Sequence, residues 1–204
     1  EALQQLDRKA PVLHHDTKLS ESPFWISFLL NPTGEEDAQI IELPSRHAVE
    51  MECWTAAGLT QLGKADRTGW SGAIRIAKTG FALHAGALKA STRVVCKTEH
   101  SGPARISILQ WPQTQFDLSI QKFHRNAGLL DGGLIVLALF VLVTAIINKE
   151  WTYVLFAAWL VANLRLGALS AGWDVQWLEK NIPPDLIAPM RKLPIAAYYV
   201  LTYA

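Results

Sequence analysis

Gly128-Leu129-Leu130-Asp131-Gly132-Gly133-Leu134-Ile135-Val136-Leu137-Ala138-Leu139-Phe140-Val141-Leu142-Val143-Thr144-Ala145-Ile146-Ile147 carries one charge in twenty residues. As a helix it spans about 30 Å, the thickness of a bilayer's hydrocarbon core. Asp131 falls in the first turn, where a carboxylate reaches the interface and meets the positive end of the helix dipole. The stretch therefore reads as a first transmembrane helix, residues 128–148. After the turn Asn148-Lys149-Glu150 a second apolar stretch covers residues 151–172. So short a turn forces an antiparallel helical hairpin. Trp151 and Tyr153 at its start, and Trp173 and Trp177 beyond its end, suit the aromatic belts of the two interfaces. Asn163 and Arg165 are its costly members, since insertion scales charge about 2.5–3.5 kcal/mol for a central arginine. Arg165 must snorkel to the interface or face the bundle interior, where Asp131 is the available carboxylate. Residues 173–192 form a polar loop with Pro183, Pro184 and Pro189, and residues 193–204 begin a third span.

Working outward from the spans, the composition changes near residue 127. Residues 1–127 hold 27 of the 37 acidic and basic side chains, and the last 77 residues hold ten. Over the whole chain 50% of residues are hydrophobic and 18% charged, against about 25% charged in ordinary soluble domains. The mean hydropathy is +0.15. The formal charge of +1 lacks the basic excess that a nucleic-acid partner requires. Glu1 follows no charged signal-peptide n-region, and Ala204 lies inside an apolar run, so the sequence reads as a piece of a longer protein.

The amino-terminal half alternates with period two. After a terminal segment (residues 1–12), Phe24-Trp25-Ile26-Ser27-Phe28-Leu29-Leu30 follows Pro23, with Phe24, Ile26, Phe28 and Leu30 on one face. Further strands are expected over residues 38–43, 47–54, 70–77, 81–85, 92–97 and 105–111. In the strand over 47–54, Val49, Met51 and Cys53 share a face opposite Ala48, Glu50, Glu52 and Trp54. Gly58, Gly63, Gly69, Gly80, Gly86 and Gly102 punctuate the intervals. This spacing, without a long helical pattern, predicts a jelly-roll-like antiparallel β-sandwich over residues 13–115, joined by a linker (116–127) to a truncated α-helical transmembrane bundle. Cys53 and Cys96 both fall in expected strands. They either pair, in an oxidising compartment, or remain as buried thiols.

No catalytic constellation emerges: there is no phosphate-binding glycine loop, zinc-protease helix or nucleophile elbow. His14-His15-Asp16 is the one local cluster of metal-ligating types, but neighbours on a strand point to opposite faces, and no metal or cofactor is expected. Glu50 and Glu52 share a face without an activated partner. Aromatic side chains on a sandwich surface can stack on sugar rings or apolar ligands. Trp54 and Trp70, with Arg75 and His84, are accordingly the candidate small-molecule or carbohydrate site, and Trp111 is a further aromatic to follow. Core packing is the alternative role for each tryptophan.

With Ser22-Pro23-Phe24-Trp25-Ile26-Ser27-Phe28 opening the β domain, and a glycine-flanked first span after residues 116–126, the layout resembles the bacterial seven-transmembrane receptors with diverse intracellular signalling modules. The similarity covers residues 13–204. Asn148-Lys149-Glu150-Trp151-Thr152-Tyr153-Val154-Leu155-Phe156 and Arg165-Leu166-Gly167 are similar to cyclic-di-GMP-linked members; Leu129-Leu130 stand where the family often has an aromatic pair. The resemblance implies a multi-pass protein of the bacterial inner membrane, in contact with lipid, with a periplasmic amino-terminal sensor. It also implies a homodimer and a cytoplasmic output, a diguanylate cyclase or histidine kinase. Gly128, Gly132 and Gly133 would let the sensor hand motion to the first span. Charge counting opposes that orientation. Lys180, Arg191 and Lys192 in the second loop outnumber Lys149 in the first turn, which would place the amino terminus inside. The competing readings are a substrate-binding part of an envelope enzyme or transporter, and a structural membrane anchor.

Overall fold

The computed structural model describes residues 2–18, 20, 22–31, 38–86, 90–170 and 184–203. They divide into two compact units, residues 1–121 and 122–204. Among the described residues, a short helix α1 (Ala2–Asp7) precedes eleven strands: β1 (His15–Asp16), β2 (Phe24–Leu30), β3 (Gln39–Leu43), β4 (Ala48–Thr55), β5 (Gln61–Asp66), β6 (Trp70–Gly72), β7 (Ile74–Ala77), β8 (Gly80–Gly86), β9 (Thr92–His100), β10 (Arg105–Ile106) and β11 (Leu109–Pro112). Three helices follow: α2 (Gln113–Asn148), α3 (Trp151–Ser170) and α4 (Pro184–Tyr203).

All pairings are antiparallel. Five strands run in the order β2-β9-β4-β5-β6, four in the order β11-β3-β8-β7, and β1 pairs with β10. Period-two alternation decides what each strand buries. In β2, Leu30 is buried, and Phe24, Ile26 and Phe28 pack on the same core. That core takes Met51, Cys53 and Ala65, Val94 and Cys96 from the five-stranded sheet. Ile41 and Leu43, Ile74, Phe81 and Leu83 come from the four-stranded one. Two sheets sharing one apolar layer is the sandwich arrangement, and each large aliphatic or aromatic side chain so buried contributes about 1.5–3 kcal/mol.

Several boundaries differ from the sequence reading. Residues 70–77, expected as one strand, break at Gly72, whose φ of +67° suits glycine. The piece before it joins the five-stranded sheet and the piece after it the four-stranded sheet. Residues 105–111 likewise split into β10, on β1, and β11, on β3. Strand β5 was not expected, since Gln61-Leu62-Gly63-Lys64-Ala65-Asp66 lacks β-branched and aromatic residues. A turn holds it: the Asp66 carboxylate accepts from the Thr68 backbone N–H (2.7 Å), the Thr68 hydroxyl (2.6 Å) and the Gly69 N–H (2.8 Å). Burial works to raise the Asp66 pKa, yet these hydrogen bonds bring it below the ordinary value. In β4 the register shifts between Ala48 and Glu50. Ala48 thus joins Met51 and Cys53 inside, while Val49, expected on that face, is exposed.

The stretch read as a linker, residues 116–127, is helical, because α2 already starts at Gln113. Pro112 closes β11, and the Gln113 N–H donates to the Ala38 carbonyl at 3.0 Å. Phe116 is buried with Ile40, Ala77 and Ala82, and Trp111 and Ile120 pack beside them. The first turns of α2 therefore cover the outer face of the four-stranded sheet. This is why all five residues of β3 are buried.

Among the described residues, α2 and α3 are the two helices long and apolar enough to cross a membrane. Lys149, in the left-handed region (φ 56°), ends α2, its N–H bonded to the Ala145 carbonyl at 2.8 Å. Leu134, Ala138 and Val141 pack against Ala157 and Leu160 across the hairpin. Trp159 of α3 donates its indole N–H to Thr202 Oγ1 of α4 at 3.1 Å and stacks on Tyr198 at 6.1 Å. Residues 184–192, expected within a loop, are helical as the first part of α4. Residues 173–183 of that loop, with Trp173 and Trp177, and the end of the second span at 171–172 lie outside the described residues.

Cys53 and Cys96 stand directly opposite in the β4–β9 ladder, with Cα atoms 4.1 Å apart, and form a disulfide. The closed loop has a sequence separation of 43 residues. In the chain-entropy account such a cross-link contributes about 4 kcal/mol. Reduction, or the Cys53→Ala/Cys96→Ala pair, should lower the denaturant midpoint of the β-sheet signal in step with a loss of about that size. Coincident unfolding curves with and without reductant would exclude it.

Candidate functional site

Two outward faces of the sandwich gather the chemistry-bearing side chains. On the five-stranded sheet, parity places Trp25, Ser27 and Leu29 of β2 outside. In register with them are Lys97, Val95 and Arg93 of β9, and Glu52 and Trp54 of β4. Trp25 stacks on Trp54 across β9, centroids 5.8 Å apart and planes 27° apart. Val95 points outward yet is 3% exposed, whereas Trp25 remains 42% exposed. Charged pairs surround the indoles: Lys97–Glu99 at 2.7 Å, Lys64–Glu50 at 2.9 Å, and Gln61 Nε2 donating to Glu52 Oε1 at 2.7 Å. Arg93 donates to Ser27 Oγ at 2.8 Å and pairs with Asp7 of α1 at 2.6 Å.

The second face is the outer side of the four-stranded sheet. Glu42 of β3 is 2% exposed and pairs with Lys78 at 3.1 Å. Lys78 occupies the β7–β8 turn with φ 49°. Its ammonium lies 4.9 Å from the Trp111 ring centroid and 5.1 Å from that of Phe116. A cation held between two aromatic faces and one carboxylate is a favourable buried arrangement. Beside it the His84 ring meets Phe116 edge-on at 6.4 Å. Burial lowers the His84 pKa, the Arg75 charge lowers it further, and Asp117 partly opposes both.

The four residues proposed from sequence thus divide between the faces. Trp54 is on the five-stranded sheet, half-buried against Trp25. Trp70 belongs to the same sheet at its far edge, opposite Ala65, and is 58% exposed. Arg75 and His84 are on the four-stranded sheet. Trp25, Glu42, Lys78 and Phe116 were not among them. The alternation of β2 already aims Trp25 away from the core, but no sequence signal distinguishes Glu42 as buried.

Other clusters are structural. Arg67 donates to the carbonyls of Ala48, Ser45, Arg46 and Thr79, at 2.7–3.2 Å, and lies over the Phe81 ring. His100 is 3% exposed, edge-on to Phe24; burial, reinforced by His47 and Arg67, lowers its pKa to about 4. His15 lies against Phe24, and Asp16 pairs with Arg105 at 3.1 Å. Among the described residues no group of three or more His, Cys, Asp and Glu side chains could hold a metal.

In the helical unit, the Asp131 carboxylate lies against Gly167 of α3, 3.9 Å from where a Cβ would stand. No ion pair joins Asp131 to Arg165, whose Nη1 is buried without a hydrogen-bond partner among the described residues. Asn163 donates to the Trp159 carbonyl of its own helix at 2.8 Å. Gly128, Gly132 and Gly133 present open faces, with nothing within 4 Å of a would-be Cβ.

No protein-family profile, curated protein or solved structure matches the chain.

The Lys78–Glu42 pair yields a thermodynamic cycle. Removing one partner of a buried pair strands the other charge and costs about 3–5 kcal/mol, whereas replacing both with apolar residues is close to neutral. Glu42→Leu or Lys78→Met alone should therefore destabilise the sandwich far more than the two together. Additive losses in chemical denaturation would show that the two charges do not depend on one another.

Proposed function

We propose that this chain is the sensory input region of a bacterial membrane signalling receptor, whose β-sandwich meets a ligand outside the inner membrane and whose helices relay the event to a cytoplasmic output, a diguanylate cyclase or histidine kinase. The observation that carries this reading is α2. A single 36-residue helix begins as part of the sandwich's packing, through Phe116, and contains a stretch apolar enough to span a bilayer. A mere tether would need no such docking. A helix that helps to cover a sheet registers any change in that sheet's outer face.

A ligand biases such a system only through its differential affinity for two arrangements. The outer face of the four-stranded sheet supplies candidates for that difference: the Lys78 ammonium held by Trp111, Phe116 and Glu42, and the edge-on contact of His84 with Phe116. The open faces of Gly128, Gly132 and Gly133 leave room further along α2 for closer helix approach or local flexing.

The disulfide supports the periplasmic side for the sandwich, because such bonds form and persist in oxidising compartments. We weigh it above the small excess of basic residues after α3, a bias of two charges in short loops. A transporter reading would need polar groups converging at the midplane from several helices. Asn163 instead satisfies its amide on its own helix.

Topology tests the reading. In intact spheroplasts, added protease should digest residues 1–112 while sparing the apolar stretches of α2 and α3. Digestion of that region only in inside-out vesicles would contradict the receptor reading and leave the architecture standing.

A further inference from the structure

We propose that His100 is a proton-binding site inside the sandwich, and that its protonation in mild acid loosens the β1–β10 closure at that end of the core. This deepens the receptor reading by naming a proton as an input, and rests on that reading only for the relay.

Val94, Cys96, Thr98 and His100 form the inward row of β9, and all are buried. The His100 ring ends that row at 3% exposure, and neither of its nitrogens has a hydrogen-bond partner among the described residues. Phe24 of β2 meets it edge-on with centroids 6.0 Å apart, and Ala48 stands opposite on β4. A neutral imidazole is tolerated there. An imidazolium would put a charge and two unmet donors into the core.

Among the described residues, the charges around the ring offer it no counterion. Arg67 donates to the carbonyls of Ala48, Ser45, Arg46 and Thr79, and its own charge opposes a second cation. His47, just before β4, is engaged at both nitrogens, by Arg46 Nε at 3.2 Å and the Ser101 carbonyl at 3.0 Å. The carboxylates on the same elements are held elsewhere: Asp16 by Arg105 at 3.1 Å, Glu99 by Lys97 at 2.7 Å, Glu50 by Lys64 at 2.9 Å and Asp66 by its turn. His15 of β1 lies beyond Phe24, centroids 5.7 Å apart. Burial first, then His47 and Arg67, bring the His100 pKa from the ordinary 6.5 to about 4.

The closure over this end is slight. Strands β1 and β10 pair through two residues each, tied by the Thr17 N–H to the Ala104 carbonyl at 2.8 Å and the Ala104 N–H to Thr17 Oγ1 at 2.9 Å. Phe24 touches the rings of both His15 and His100, so release of β1 removes support from the ring that covers His100. Short pairs of this kind open locally at lower free energy than a long ladder such as β4–β9. The closed form binds the proton less well than the open one. Closure is therefore at full strength above pH 6.5 and weakens as pH falls toward 4. Between pH 7.5 and 5.0 the opening constant should rise about thirtyfold.

The test is hydrogen exchange by mass spectrometry on the full chain in lipid nanodiscs, each rate divided by that of unstructured peptide at the same pH. From pH 7.5 to 5.0, protection over residues 15–17 and 104–106 should fall about thirtyfold while the β4–β9 ladder keeps most of its own. His100→Leu and the more polar His100→Gln should each flatten that response, and His124→Gln in α2 should leave it unchanged. NMR titration of 13C-labelled histidine in the unaltered protein gives a check that needs no variant: one ring should titrate near pH 4. Protection of 15–17 that ignores pH, an equal fall throughout the β4–β9 ladder, or an undiminished response in a folded His100 variant would overturn the proposal. So would a titration in which every ring turns over near pH 6.5. These readouts come from purified protein, so their failure leaves the receptor reading intact, whereas a sandwich accessible only from the cytosol removes that reading and leaves the proton site standing.

Discussion

The Lys78 ammonium, buried between Glu42, Trp111 and Phe116, is the interaction on which the arrangement of the sandwich and its exit helix depends. A carboxylate at 2% exposure on a sheet face is tolerable only with a cation beside it. Lys78 reaches that position from a turn whose backbone adopts the left-handed region. Once the pair is in place, its outer side still has to be shielded from water. Trp111 and Phe116, one before and one after the start of α2, provide that cover. The helix consequently begins against the sheet rather than beyond it, and the outer face of the four-stranded sheet becomes a second, small core.

The two sheets thus have different mechanical characters. The five-stranded sheet is cross-linked through its centre by Cys53–Cys96, next to Met51 and Val94 in the main core. On its outer face, α1 lies close enough for Asp7 to pair with Arg93. The four-stranded sheet has no covalent link and depends on α2 for its outer cover. The two sheets meet through the common layer of Leu43, Met51, Phe81 and Val94, where close packing leaves few intermediate arrangements.

Much of this was legible in the residues. The apolar runs gave both long helices, because some twenty residues with a single charge each admit few other uses, and the alternation of β2 gave its inner face residue by residue. The failures have particular causes. Residues 70–77 look continuous because Gly72 resembles an ordinary interruption, whereas its positive φ sends the chain into the other sheet. Strand β5 has weak intrinsic preference and exists through the Asp66 turn and its neighbours on either side. Residues 116–127 are polar enough to read as a linker, yet Phe116 had a partner face that only the folded sheet creates. The candidate site was scattered for the same reason. Trp54, Trp70, Arg75 and His84 are close in sequence terms, but which face each shares depends on sheet order, and strand alternation alone does not supply that order.

Amide hydrogen exchange over Gln113–Gln121, measured by mass spectrometry on the full chain in nanodiscs, tests this account most directly. Docking of α2 on the sheet requires these amides to be protected to a degree comparable with β3. It also requires that protection to fall in Lys78→Met while the β4–β9 ladder stays protected. Fast exchange of 113–121 in the unaltered protein, with β3 slow, would show that the helix start floats free of the sandwich.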